Sequence, residues 1–236
     1  MSAEQRRLPR QVVESIGSAL AAGSMRAGDV LGIAELEQRF GISRTVARDA
    51  VRVLEAKGML STRQRVGLIA RPLSEWNLFD PDVIRWRLIG ADHAAQLEQL
   101  SELRVAVEPL AAALAAERAS EAQRERLLTL AAEMRAKAQF GDQAGFVEAD
   151  IAFHHLLLAA SGNSMFQQLG AVTEQVLRGR GDLDLMPAAP DPDDALRHVA
   201  VADAITSGDV EGAERAMREI MRESRRDIRR FLAERS

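Results

Sequence analysis

Arg44, Arg48 and Arg52 share one face of the segment from Ser43 to Gly58, while Ala47, Ala50, Val51 and Leu54 recur at three and four residues on another. Such a two-sided period is satisfied by a helix that buries its small apolar side and leads with guanidiniums on the other. Ser43 suits the N-cap and Gly58 the stop. A short exposed helix of this kind fits the B-DNA major groove, where a guanidinium fork bonds two acceptors on guanine.

The flanking residues extend the reading. Ala34 to Phe40 makes a short helix, Gly41 and Ile42 a tight turn, and the pair with the next helix is a helix-turn-helix. Upstream, Leu8 to Leu20 is helical, with Val12, Val13, Ile16 and Leu20 on its apolar side and Gly23 at its end. After Gly58 the period changes. Met59–Ser61 and Val66–Ala70 read as two short strands around the basic tip Arg63-Gln64-Arg65, a two-stranded wing. Arginines four apart also describe an ordinary solvated face, Arg52 above all, and Gly41 and Gly58 suit ordinary turns. The order of the parts, all within a module of domain size, favours DNA. Ser43, Arg44, Thr45 and Arg48 are the candidate groove contacts, with Arg65 and Gly67 of the wing.

Charge separates the two parts of the chain. Residues 1–72 hold 12 Lys and Arg against 7 Asp and Glu, and the remainder holds 19 against 28. Only the front part suits a polyanion whose phosphates are neutralised by cationic side chains. The chain has no cysteine, which removes disulfides and thiolate metal sites. Neither a signal-like apolar run nor a membrane span is present, so a cytoplasmic protein with no membrane partner is expected. The expected division is 1–72 for the winged helix-turn-helix, 73–90 for a linker segment, and 91–236 for an all-helical effector-binding and dimerisation domain. The linker holds Trp76 and Trp86 and is too aromatic for a purely flexible tether.

From His93 onward only helical patterns occur, over about 93–118, 121–139, 142–161, 164–180, 192–207 and 209–233. They are separated by Ser120, Gly141, Gly162-Asn163, a loop with Pro187, Pro190 and Pro192, and Gly208-Asp209. The fold class is therefore mainly α, an N-terminal winged helix followed by an antiparallel helical bundle, an architecture that houses ligands on facing helices. Asp150 and His154, four apart, project from one helix face, and His198 can supply a third donor to a shared divalent cation. By spacing alone the same two residues describe a surface pair. His155, beside Ile151 and Leu158, reads as structural.

In its ordered motifs the chain resembles the GntR family of bacterial transcription regulators, in the FadR subfamily with its helical FCD effector domain. The likeness runs through Glu35-Leu36, Phe40 to Thr45, Arg48, Leu54-Glu55, Gly58 and Gly67. It continues through Glu102 to Arg104, Glu108-Pro109, Ala115 to Arg118, Asp150 to His154 and Ser161 to Asn163, and closes at His198, Ala204-Ile205, Gly208-Asp209 and Ala216-Met217. The resemblance implies a metal held by Asp150, His154 and His198, with Ile220 where the family usually has a fourth ligand, a histidine. An open three-ligand site for zinc, manganese or nickel, or loss of tight binding, follows from that departure. The segment Trp76 to Trp86 is similar to a branch of sugar-acid regulators, which implies an effector such as galactonate or gluconate. Arg104, Glu108 and Asn163 are the candidate effector contacts; a simple Arg104–Glu108 salt bridge and a helix cap at Asn163 are the alternatives. The expected protein is a homodimer, not an enzyme, that represses sugar-acid catabolism by binding double-stranded operator DNA until a small carboxylate releases it. A metalloenzyme built on the same three ligands and an effector-free architectural DNA binder are the rivals.

Overall fold

The computed structural model describes residues 3–182 and 189–234, and the chain divides into two compact units, 1–93 and 94–236. In the first unit, helix α1 (Ala3–Ala21) is followed by strand β1 (Val30–Leu31), α2 (Ile33–Phe40), α3 (Arg44–Ala56), β2 (Leu60–Arg63), β3 (Gly67–Ala70) and α4 (Pro81–Leu88). Val12, Val13, Ile16 and Leu20 of α1 are buried in one core with Ala47, Ala50, Val51 and Leu54 of α3. The period that predicts these helices is thus the one that encloses the core. Gly41 ends α2 in the left-handed conformation at φ 61°, and the Ser43 hydroxyl accepts from the Val46 amide at 3.4 Å to start α3. Gly58 has φ 74°, and a Cβ there would come within 2.2 Å of the Glu75 carbonyl oxygen, so both backbone geometry and close approach require glycine.

The expected two-stranded wing is present as the β2–β3 hairpin, and β1 adds a third strand to it. The result is a three-stranded antiparallel sheet of order β1-β3-β2, in which Val30 and Leu31 pair with Ile69 and Leu68. A strand of two residues is too short to show an alternating pattern, which is why the sequence does not announce it. Arg63 belongs to the ladder, opposite Gly67, leaving 64–66 as the loop. Arg65 at its tip has φ 65°, the one non-glycine residue in that region among the described residues.

The segment expected as a linker contains a helix. Asp80 caps α4 by accepting from the Asp82 and Val83 amides, and Pro81, instead of merely interrupting a helix, opens this one. Trp86 is fully buried, donates from Nε1 to Glu14 at 2.7 Å and lies over Gly17, where any Cβ would meet the ring at 2.4 Å. Lys57, just past α3, reaches Asp80 at 2.7 Å and Asp82 at 2.8 Å. Residues 73–90 therefore pack within the first unit.

The second unit is helical throughout its described residues: α5 (His93–Arg118), α6 (Glu121–Phe140), α7 (Gln143–Ala160), α8 (Ser164–Gln168), α9 (Gly170–Asp182), α10 (Pro192–Ser207) and α11 (Val210–Glu234). α6 is set against both α7 and α10, and α10 against α11. The single helix expected over 164–180 is two, α8 ending at a Leu169 cap before α9 begins. Pro187, expected in the loop before α10, lies outside the described residues. Phe153, Leu157, Leu158, Leu127, Met134, Val201 and Met217 anchor the core. None of the described helices is long and apolar enough to cross a membrane.

Candidate DNA-reading face and ligand centre

On α3, burial of Ala47, Ala50, Val51 and Leu54 leaves Arg44, Thr45 and Arg48 exposed. Neither Arg44 nor Arg48 has an ion-pair partner among the described residues, whereas Arg52 lies 3.5 Å from Asp49. Ser43 is exposed, but its hydroxyl oxygen is committed to the cap. Arg65 stands exposed at the wing tip. Gly67 is half-buried, and a Cβ there would strike the Leu31 carbonyl oxygen at 2.7 Å, so the sheet itself demands glycine at this position.

In the bundle, α7 and α10 bring three buried donors together. Asp150 Oδ1 lies 3.1 Å from His154 Nε2 and 3.2 Å from His198 Nε2, and the two Nε2 atoms are 3.4 Å apart. The other nitrogen of each ring turns away from the cluster. His154 Nδ1 faces Glu108 Oε2 at 2.5 Å, and His198 Nδ1 faces the Asp194 carbonyl oxygen at 2.8 Å. A proton on His198 Nδ1 satisfies its acceptor, whereas His154 Nδ1 is in ion-pair contact with Glu108 without a well-formed hydrogen bond; in both rings Nε2 is the atom that converges with the carboxylate. Phe153 presses edge-on against both rings and limits their rotation.

That convergence fits a cation. Donors bonded to one ion at about 2.0–2.2 Å stand about 3–3.5 Å from each other, the spacing found here. Asp150 Oδ1 has no well-formed hydrogen bond despite its burial. A carboxylate behind a ligating imidazole, as Glu108 stands behind His154, is the usual support for such a ring. In the ion-free protein a proton takes the central role. Burial alone would push the His154 pKa down, but Glu108 and Asp150 outweigh it and raise it to about 9. Burial likewise works against the charged Glu108, yet Arg104 and His154 hold its carboxyl down to about 2. Asp150 is held well below the usual carboxylate range by the two histidines, again against burial.

Arg104 and Glu108 are one turn apart on α5 and both are buried. Glu108 Oε1 accepts from Arg104 Nε at 2.6 Å and from the Thr173 hydroxyl at 3.2 Å. Glu108 is thus consumed by protein contacts. Arg104 Nη2 lies 3.4 Å from His154 Nε2, its Nη1 makes no bond among the described residues, and the residue lines a cavity of about 70 Å³ beside the three donors. Ile220 and Met221 form an apolar part of that wall, and Asp191, Arg197, Glu223 and Asp227 ring it. Asn163 is elsewhere: its Oδ1 caps α8 on the Met165 amide at 2.9 Å, and it does not line the cavity. His155 sits 3.6 Å from Glu174, outside the cluster. The ring of polar residues from α10 and α11 carries no local motif, and only the tertiary fold reveals it.

A winged helix joined to a helical unit with a candidate ligand centre inside it is the architecture of a ligand-responsive DNA-binding regulator. The model of the bacterial regulatory proteins of the gntR family matches residues 8–69, and that of the FCD domain matches residues 99–223. The chain belongs to the GntR family, as a FadR-type regulator with an FCD domain. It is 31% identical to the galactonate operon transcriptional repressor of Escherichia coli, over 93% of this chain and 96% of that one. It is 29% identical to the HTH-type transcriptional regulator YieP of the same organism, over 93% and 95%. A GntR structure from Streptococcus agalactiae shares the fold, with a TM-score of 0.54 over 92% of this chain and 99% of that one at 23% identity. The protein is a transcription regulator, not an enzyme, that binds operator DNA and a small-molecule effector.

Proposed function

We propose that the protein is a homodimeric repressor whose two α3 helices read a pseudo-palindromic operator, and that a small hydroxylated carboxylate releases it. Arg44 and Arg48 face the bases, Thr45 and the Ser43 region the backbone, and Arg65 a minor groove. The observation that carries the effector half is the convergence of Asp150, His154 and His198, with both Nδ1 atoms turned away from it toward Glu108 and the Asp194 carbonyl. These three residues would hold a zinc, manganese or nickel ion, which supplies a Lewis-acidic anchor for an anionic oxygen. Arg104 offers a guanidinium beside that point, suited to the second oxygen of a carboxylate. With Ile220 in the wall, positions remain for ligand oxygens. Release requires that the effector favour a dimer geometry that does not match the operator, since only unequal affinity for two states shifts their balance.

A sugar acid is the effector that the galactonate-repressor relative favours. The cavity volume of about 70 Å³ favours a shorter 2-hydroxy acid, because a six-carbon chain needs the ring of Asp191, Arg197, Glu223 and Asp227 to move outward. A thermal-shift series of the metal-loaded protein with galactonate, gluconate and lactate separates them, since the bound acid raises the melting temperature. No shift with any carboxylate, with or without metal, sinks the effector reading and leaves an architectural DNA binder.

Metal binding carries its own pH signature. Because His154 is protonated below pH 9 in the ion-free protein, loading at pH 7 must displace that proton. Calorimetry of chelator-stripped protein with zinc in two buffers of different ionisation enthalpy is expected to count about one proton released. Affinity is expected to weaken about tenfold per pH unit below 9. Binding that is insensitive to pH between 6 and 8 contradicts this assignment.

A further inference from the structure

We infer that the DNA-binding unit carries a second ligand site, a pocket for the carboxylate or phosphate group of a small organic anion, with Arg87 at its base. The site is independent of the metal centre and of the effector proposed for it. Arg87 lies on α4 and is only 6% exposed. Its neighbour Arg85 is paired with Glu14 and Asp82, whereas the Arg87 side chain has no hydrogen-bond or ion-pair partner among the described residues. Its nitrogens are not among the fully buried unpartnered atoms, so within a buried residue the donors open onto the adjoining cavity, where an anion can pair with them. Burial pushes its pKa below the ordinary arginine value, opposed only by the exposed Asp92.

Arg87 lines a cavity of about 360 Å³ formed where the end of α1, the base of the sheet and the end of α4 come together. Arg26 and Arg71 line it too, against Asp92 as its one acid. Arg71 is partly engaged by Glu75, and the Arg26 side chain has no partner among the described residues. The remaining wall is apolar, with Leu20, Met25 and Trp76 prominent. An oxyanion group thus meets the Arg87 fork at the base with Arg26 and Arg71 at the rim, and an organic body larger than the ion itself meets Trp76. Arginine matches the planar geometry of either headgroup through paired N–H bonds.

The chain has two tryptophans and no tyrosine, so its intrinsic fluorescence comes from Trp76 in this cavity and Trp86 nearby. The test titrates chelator-stripped, DNA-free full-length protein with inorganic phosphate, phenyl phosphate and benzoate, and follows tryptophan emission and melting temperature. The expected result is a saturable change with at least one organic probe, phenyl phosphate or benzoate identifying the headgroup, together with a raised melting temperature. Inorganic phosphate is expected to bind more weakly, for want of an apolar body. Arg87→Met is expected to weaken binding about tenfold or more, while Arg87→Lys loses the fork and retains part of the affinity. Arg26→Ala, at a position outside the core, is expected to weaken it several-fold. A wild-type protein that gives no saturable response to any probe, or a response unchanged in both Arg87→Met and Arg26→Ala, overturns the proposal.

Discussion

Replacing Arg44 and Arg48 together by alanine is expected to cost the protein its operator specificity while leaving its melting temperature within about a degree or two of wild type. Each good bidentate contact to a base is worth about 1–3 kcal/mol, so the pair accounts for about thirtyfold to about twenty-thousandfold in affinity. Both side chains are exposed and unpaired within the described residues, so the fold loses nothing with them. Fluorescence anisotropy on a duplex selected in vitro with the wild-type protein, against a scrambled duplex, gives the specificity ratio directly. Arg52→Ala serves as the comparison, because its guanidinium is already drawn toward Asp49 and a smaller effect is expected. Specific affinity within threefold of wild type for the double variant would remove α3 as the reading helix.

The second large effect is in the bundle. Glu108→Ala leaves Arg104 and His154 as buried cations without their shared carboxylate, and removing one member of such a network costs about 3–5 kcal/mol. Its pH dependence distinguishes this from simple cavity creation. The Glu108 pKa is lowered from 4.5 to about 2, so its contribution is complete above pH 4.5 and is lost as pH falls through 2. The His154 pKa is raised from 6.5 to about 9, so its contribution is complete below pH 6.5 and is lost as pH rises through 9. The network therefore favours the ion-free fold most between about pH 4.5 and 6.5. Urea unfolding in chelator at pH 5.5 and 9.5 is expected to show wild type losing stability between the two, with a much smaller loss in Glu108→Ala. An equal loss in both proteins means that the histidine is not held by this carboxylate.

What the sequence conveys follows from the range of the interactions involved. α3 is readable because its apolar stripe, cap and stop are all local, and each is where the period places it. Asp150 and His154 are readable as a pair because one helical turn fixes their common face, and the i+4 spacing holds in α7. β1 is not, since two residues carry no period and Val30–Leu31 become a strand only by finding β3. α4 is obscured by the Asp80-Pro81 breaker signal, which in this context is a cap followed by a first-turn proline. Glu108 reads from sequence as an effector contact, yet its partners Thr173 and His154 are far away along the chain, and only packing shows that its oxygens are taken. Asn163 is ambiguous in the sequence between ligand contact and cap, and its geometry is that of a cap.

Trp86 seated over Gly17 and bonded to Glu14 has a practical corollary for dissecting the molecule. A fragment that stops at Pro72 would strip α4 from α1, removing Trp86 from its seat on Gly17 and Glu14 and leaving Lys57 without Asp80 and Asp82. The first compact unit runs to His93, so a shortened reporter or a hybrid regulator assembled from this chain is expected to keep its DNA-binding part folded when spliced after that residue.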